Sequence, residues 1–237
     1  MCGICGYISL NETFDGRGTL GAMARTLVHR GPDDEGYFLS KGVGLGIRRL
    51  SIIDVQGGHQ PIHNEDQTLW LVQNGEIYNY IELRRILEKK GHRFHTQTDT
   101  EVIVHLYEES GVDFVRQLNG MFAFALWDSK NKRLILGRDR LGIKPLYYTE
   151  TDKGLIFASE PRALLAHPQI NAGLDLEALK KYLVLEYIPA PFSIFHGIKK
   201  LLPGHLLVYE QGRAALLKYW GLSYAKRSQL TLEEAKS

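Results

Sequence analysis

The chain has 237 residues, of which 44% are hydrophobic, 10% aromatic and 24% charged, enough apolar material to exclude a disordered or low-complexity polypeptide. At roughly 150 residues per domain, this length suggests one large domain or one and a half. Lys and Arg total 29 against 27 Asp and Glu, a net charge of +2, so no clustered basic excess argues for nucleic acid.

Taken in chain order, Gly6 to Leu10 reads as a first strand and the apolar spacing of Leu20 to Val28 predicts a helix. Gly36 to Leu39 and Val43 to Ile47 form a strand pair across a Lys41-Gly42 turn. Gly42, Gly44 and Gly46 recur without the G-x-G-x-x-G spacing of a nucleotide loop. Trp70 to Gln73 predicts a short strand stopped by Asn74-Gly75, and Tyr80 to Lys90 a helix closed by Gly91. Thr98 to Glu101 opens a helix running through Tyr107. From Met121 onward strands dominate: FAFALWD, RLILGRD, PLYY and GLIFAS, separated by hairpin-length turns. Ala166-His167-Pro168 is a break, Leu174 to Leu185 a further helix, and Leu206 to Tyr209 with Leu216 to Trp220 a closing strand pair. Strands and helices therefore come in blocks, which favours antiparallel sheets covered by helices. Thr231 and Glu234 have capping-box spacing, and so few residues follow that we expect a helix cut short in a longer chain.

No apolar run reaches the about 18 residues of a membrane-spanning helix, and no basic segment precedes an apolar stretch at the N-terminus. Only two cysteines occur, Cys2 and Cys5, so the expectation is a reduced, cytoplasmic protein without a disulfide framework. Cys2 follows Met1, and removal of Met1 would join a thiol and a free α-amine on one residue. An α-amine with a pKa of about 7.7–8.0 can activate such a thiol without a histidine. As a C-x-x-C, Cys2 and Cys5 also admit redox or zinc readings. An extended segment points them to opposite faces, and zinc would need partners such as His59 or His63 with no second paired motif. No metal ligand is assigned, and Cys5 reads as a buried small hydrophobe.

Four further segments read as ordinary structure when taken singly. His29-Arg30-Gly31-Pro32-Asp33 is a turn, Arg48-Arg49-Leu50-Ser51-Ile52-Ile53-Asp54 a strand end with surface cations, Asn74-Gly75 a turn, and Asp99 a helix cap. A turn at Asn74-Gly75 could equally present an amide and a backbone N–H to an oxyanion. Arg48, Arg138 and Arg140 are open between ion pairing and lining a face toward a further domain.

Together Cys2-Gly3-Ile4-x-Gly6, HRGPD, RRLSIID, NGEIYN, Thr98-Asp99-Thr100-Glu101, GMFAFALWD and RDRLGIKPLYY resemble the glutamine amidotransferases of the N-terminal-nucleophile class, closest to the glutaminase domain of glutamine-dependent asparagine synthetases. RRLSIID and KKLLPGH favour that branch over siblings that feed ammonia to sugar phosphates. The chain departs at Cys5, where other small residues are common, and at Thr98, where Ser is usual. The resemblance implies an α+β, four-layer α-β-β-α sandwich of antiparallel sheets, with the glutaminase domain over 2–222 and a linker and the start of a synthetase domain over 223–237. It implies hydrolysis of glutamine to glutamate and ammonia. Cys2 would be the nucleophile, with Asn74 and Gly75 the oxyanion donors. Arg49 would take the substrate α-carboxylate and Asp99 its α-ammonium, with Leu50, Ile52, Ile53 and Glu76 completing the pocket. The chain itself needs no cofactor on this reading. ATP and Mg2+ go with the synthetase domain, whose Ser-Gly-Gly-x-Asp-Ser signature is nowhere in these residues. The expected partners are glutamine and that domain, with a homodimer left open and neither nucleic acid nor membrane. Alternatives are supply of ammonia to another carboxylate, or a catalytically silent module of the same fold.

Overall fold

Residues 1–10, 16–224, 231 and 233–234 are described by the computed structural model. The first half runs β1 (Gly3–Ser9), α1 (Gly16–Arg25), β2 (Asp34–Ser40), β3 (Val43–Arg49), β4 (Ile62–His63), β5 (Leu69–Ile77), α2 (Tyr80–Lys89), α3 (Val102–Ser110) and a 3₁₀ turn (Gly111–Gln117). The second runs β6 (Gly120–Asp128), β7 (Arg133–Arg138), β8 (Tyr147–Thr151), β9 (Gly154–Ala158), α4 (Pro161–Leu165), α5 (Leu176–Leu185), β10 (Lys199–Lys200), β11 (His205–Glu210) and β12 (Arg213–Lys218).

The strands form two six-stranded sheets, ordered β10-β8-β9-β1-β3-β2 and β12-β11-β7-β6-β5-β4. Every pairing among these named strands is antiparallel. Side-chain alternation places each layer. Ile4 and Ile8 of β1 pack between the sheets with Leu45, Val72, Ala123, Ala125 and Phe157. Cys5 and Tyr7 point the other way, under Leu20, Met23 and Leu27 and beside Ala163 and Leu164 of α4. Across the second sheet, Leu71, Phe122, Phe124 and Leu126 are covered by Leu83 and Leu87 of α2 and Val102, Ile103 and Leu106 of α3. The layers therefore run α-β-β-α, as expected. β6 reads as one unbroken apolar run because it is buried on both faces. Its phenylalanines meet the helices, and its alanines let the sheets approach.

Local differences from the expected elements have local causes. Asn74-Gly75 is no turn: β5 continues through it in unbroken register with β6, from Leu69 opposite Asp128 to Ile77 opposite Gly120. A Cβ at position 75 would run into the Met121 carbonyl and the Phe122 backbone, so this close pairing needs glycine. Asp99 caps nothing. Helix α3 begins at Val102, and the Asp99 carboxylate instead accepts the Ile77 N–H at 2.7 Å. The first strand starts at Gly3, the first helix at Gly16, and the final strand at Arg213. The short helix α4 was not expected. At the other end the capping-box bonds exist: Glu234 accepts the Thr231 N–H at 2.8 Å, and the Glu234 N–H reaches Thr231 Oγ1 at 3.4 Å. The helix expected after them falls on 235–237, outside the described residues. Among the described residues no helix is long and apolar enough to cross a membrane.

Candidate active site

The register that sets Gly3 opposite Arg48 brings Cys2 beside the end of β3. There the Leu50 N–H donates to Cys2 Sγ at 3.4 Å, and Sγ faces the Leu50 carbonyl at 3.7 Å. Arg30 fixes the other end of the residue: its Nε donates to the Cys2 carbonyl at 2.9 Å while its Nη1 is anchored on Glu160 at 2.9 Å. Burial pushes the Cys2 thiol above its ordinary value. The Leu50 N–H, the terminal amine, Arg49 and Lys144 pull against that rise without reversing it.

Cys2 opens on a cavity of about 180 Å³, below the ~300 Å³ at which drug-sized pockets begin and so suited to a small polar molecule. Arg49, Leu50, Ile52, Ile53, Asn74, Gly75, Glu76 and Asp99, all singled out from the sequence, line the same cavity. Arg49 is buried, and the loop after β3 wraps its guanidinium. Nη2 donates to the Ile53 and Asp54 carbonyls at 2.9 Å, and Nη1 reaches the Val55 carbonyl at 3.5 Å. Asp54 closes that loop by accepting the Gly57 N–H at 2.9 Å and docks it on the Gln97 N–H at 2.8 Å. The Asn74 side chain is 1% exposed, and its Nδ2 has no hydrogen-bond partner. Buried amides rarely go unpaired, and one on a residue that lines a cavity is a donor without its acceptor. On Asp99, burial raises the carboxyl to about 6 against the pull of the Ile77 N–H.

A cavity with one thiol, a buried guanidinium, a buried carboxylate and unpartnered amides at Asn74 and Gln73 suits a zwitterion bearing a reactive carbonyl. Residues 1–220 match the family described as a glutamine amidotransferase domain. The chain belongs to that family.

Among curated relatives, this amidotransferase is 44% identical over 207 residues to asparagine synthetase [glutamine-hydrolyzing] 1 of Bacillus subtilis, covering 86% of this chain and 33% of that protein. It is 38% identical over 232 residues to enzyme 3 of the same organism, with coverage of 96% and 38%. A putative asparagine synthetase of Methanocaldococcus jannaschii is 37% identical over 241 residues, with coverage of 93% and 46%. The chain thus spans between a third and a half of the length of these relatives. Glutamine phosphoribosylpyrophosphate amidotransferase of B. subtilis has the same fold, with a TM-score of 0.66 at 20% identity, over 92% of this chain and 49% of that one.

The amidotransferase cavity also holds residues the sequence reading passed over. Lys144, 5% exposed, is positioned by its own loop: Asp139 accepts the N–H groups of Leu141, Ile143 and Lys144 at 3.1, 2.9 and 3.0 Å. Arg138 ties the same loop down through the carbonyls of Lys144, Gly142 and Leu201 at 2.8, 2.8 and 2.6 Å. That settles Arg138 as an internal staple, while Arg48 pairs with Glu35. Gln60 and Gln73 line the cavity beside Asp99, and Gln60 Oε1 accepts the Gln73 N–H at 2.7 Å. Only the charged RDRLGIKP motif could have flagged Lys144; a glutamine within an apolar strand carries no such signal.

Cys5 is fully buried under α1 with its thiol pushed up to about 12, on the sheet face away from Cys2, and both cysteines are free. The glycine run at Gly42, Gly44 and Gly46 lacks the spacing of a phosphate loop. Cβ atoms at Gly42, Gly44 and Gly46 would meet the Ser9 carbonyl, the Tyr7 ring and Leu20, so those glycines are packed rather than open to a ligand.

Proposed function

We propose that this chain hydrolyses glutamine to glutamate and ammonia through a Cys2 thioester, and that within a longer protein the ammonia serves asparagine synthesis. The observation that carries the reading is the buried, unpartnered Asn74 amide on the cavity that also holds the Cys2 thiol. Once Met1 (56% exposed) is removed, the Cys2 α-amine takes the thiol proton. Burial keeps the thiol protonated, so an adjacent base is what this nucleophile requires. Sulfur attacks the δ-carboxamide carbon, and the resulting oxyanion lies on Asn74 Nδ2 and the Gly75 N–H. The α-ammonium returns its proton to the departing nitrogen, ammonia leaves, and water cleaves the thioester to glutamate and free thiol. Arg49 holds the substrate α-carboxylate and Asp99 its α-ammonium. Leu50, Ile52, Ile53 and Glu76 complete the walls.

The relatives' names support asparagine as the product of the whole protein. On this reading aspartate is activated by ATP and Mg2+ in a synthetase domain. The residues of this chain take no part in that activation. A reducing, cytoplasmic setting goes with a thiol nucleophile and two free cysteines.

Cys2→Ala is expected to abolish ammonia release from glutamine with an unchanged thermal melt; turnover near wild type in that variant would remove the proposal. Intact mass of active protein is expected to lack Met1, and an active chain retaining it would contradict the proposed base.

A further inference from the structure

Remote from the cavity, two histidines and two glutamates converge on one point: Glu65, His92, His105 and Glu108, each offering one ligand atom, with those atoms all within 4.8 Å of one another. Glu65 sits on the turn after β4, His92 just beyond α2, and His105 and Glu108 on α3, one helical turn apart.

His105 Nδ1 is hydrogen-bonded to Glu108 Oε2 at 3.2 Å and lies 3.5 Å from Glu65 Oε2, while His92 Nδ1 lies 3.6 Å from Glu108 Oε2 and 3.8 Å from Glu65 Oε1. The last three contacts exceed the ~2.7–3.2 Å of a hydrogen bond. Zinc bonds of about 2.0–2.1 Å at tetrahedral angles put neighbouring ligand atoms about 3.3 Å apart, close to the His105 contacts and a few tenths of an ångström inside those of His92.

Three of the four ligands are also held from behind. Glu108 Oε1 accepts from Asn64 Nδ2 at 2.9 Å, leaving Oε2 to the histidines. Glu65 Oε1 accepts the Arg93 N–H at 2.8 Å. The far nitrogen of His92 is hydrogen-bonded to Glu109 at 3.1 Å, while that of the fully buried His105 has no hydrogen-bond partner, with the fully buried Glu101 at 3.7 Å. Carboxylates behind ligating imidazoles are what orient histidines on a metal.

We propose that Glu65, His92, His105 and Glu108 form a structural zinc site. Four protein ligands close the coordination shell, so the ion would brace rather than catalyse. It would tie the β4–β5 turn and the end of α2 to α3. Behind it, Glu101 accepts the His95 and Thr96 N–H groups at 2.6 and 2.7 Å, at the foot of the loop that carries Asp99.

The test uses the untagged full chain with Cys2 alkylated, so that its thiol cannot ligate. After loading with Zn2+ and dialysis against metal-free buffer, we expect one zinc per chain and a raised melting temperature. Co2+ in place of zinc should give the visible bands of a tetrahedral site. His92→Gln, at a side chain 13% exposed and so safer for folding than fully buried His105, should weaken zinc binding by more than the about 10–100-fold cost of losing a second-shell partner, and Glu108→Gln likewise. Near-ultraviolet circular dichroism checks that both variants are folded. A folded wild type that retains no zinc, folded variants that bind it as tightly as wild type, or a purely octahedral Co2+ spectrum would each overturn the assignment and leave an ionic cluster.

Discussion

Asp99 has one carboxylate oxygen on the Ile77 N–H and almost no water, and its carboxyl is lifted by burial from the ordinary 3.8 to about 6. A raised acid binds its proton more tightly in the folded state, so stability falls as pH rises through that window and the loss is complete above about 6. At 1.36 kcal/mol per pH unit, ionised Asp99 costs about 3 kcal/mol at neutral pH. Asp99→Asn is therefore expected to melt higher than wild type at pH 7.5 and to lose that advantage below pH ~4, as calorimetry across pH would record. The same variant should raise KM for glutamine about ten- to a hundredfold, since it loses a charged partner worth about 1.5–3 kcal/mol. In wild type, KM should climb as pH falls through about 6, where the carboxylate becomes neutral. Asn74 has the opposite signature. Its amide is buried without a partner, so Asn74→Ala should leave KM nearly unchanged and lower kcat on the order of 10²–10³.

Strand β5 joins the core to the chemistry. Its apolar start pairs with β6 beneath the helices, and the same unbroken register carries Asn74, Gly75 and Glu76 to the cavity. Local turn preference at Asn-Gly predicts a stop there, and long-range pairing overrides it because Gly75 alone fits against the Met121 carbonyl. Gly75→Ala should consequently cost about 1–3 kcal/mol of stability through overpacking, seen as a lower melting temperature, and impair turnover as well. Asp99 was misread for a related reason. Its spacing before α3 suits a cap, but its acceptor oxygen is claimed from another strand, and nothing local in Thr98-Asp99-Thr100-Glu101 signals that bond. Lys144 was overlooked because its placement depends on Asp139 gathering three N–H groups of its own loop.

The sandwich as a whole was legible wherever short-range rules decide. Lys41-Gly42 joins β2 and β3 as expected, Leu83 and Leu87 of α2 meet the core while Ile86 on the same expected face is exposed, and the FAFALWD run is a strand. Opposed faces for Cys2 and Cys5 follow from strand alternation alone. The cavity was legible only through motifs recognised together, because its walls come from the chain end before β1, from β3, β5 and β6, and from three loops distant in sequence. The proposed zinc ligands were not legible as a set: between Glu65 and Glu108 the one regular spacing is the His105–Glu108 pair on α3. Since every proposed glutaminase group lies within the described residues, the isolated chain is expected to release ammonia from glutamine at a rate indifferent to added ATP or aspartate, measured by coupled ammonia detection.

The two sulfurs turn this protein into its own gauge. One stands at the rim of the cavity; the other is sealed beneath α1 with its thiol at about 12. A mild alkylating reagent applied to native chains should be consumed one-for-one at Cys2. Reagent uptake then counts folded molecules with a free Cys2 thiol, glutamine should slow it by occupying the same space, and a second equivalent consumed would report unfolding.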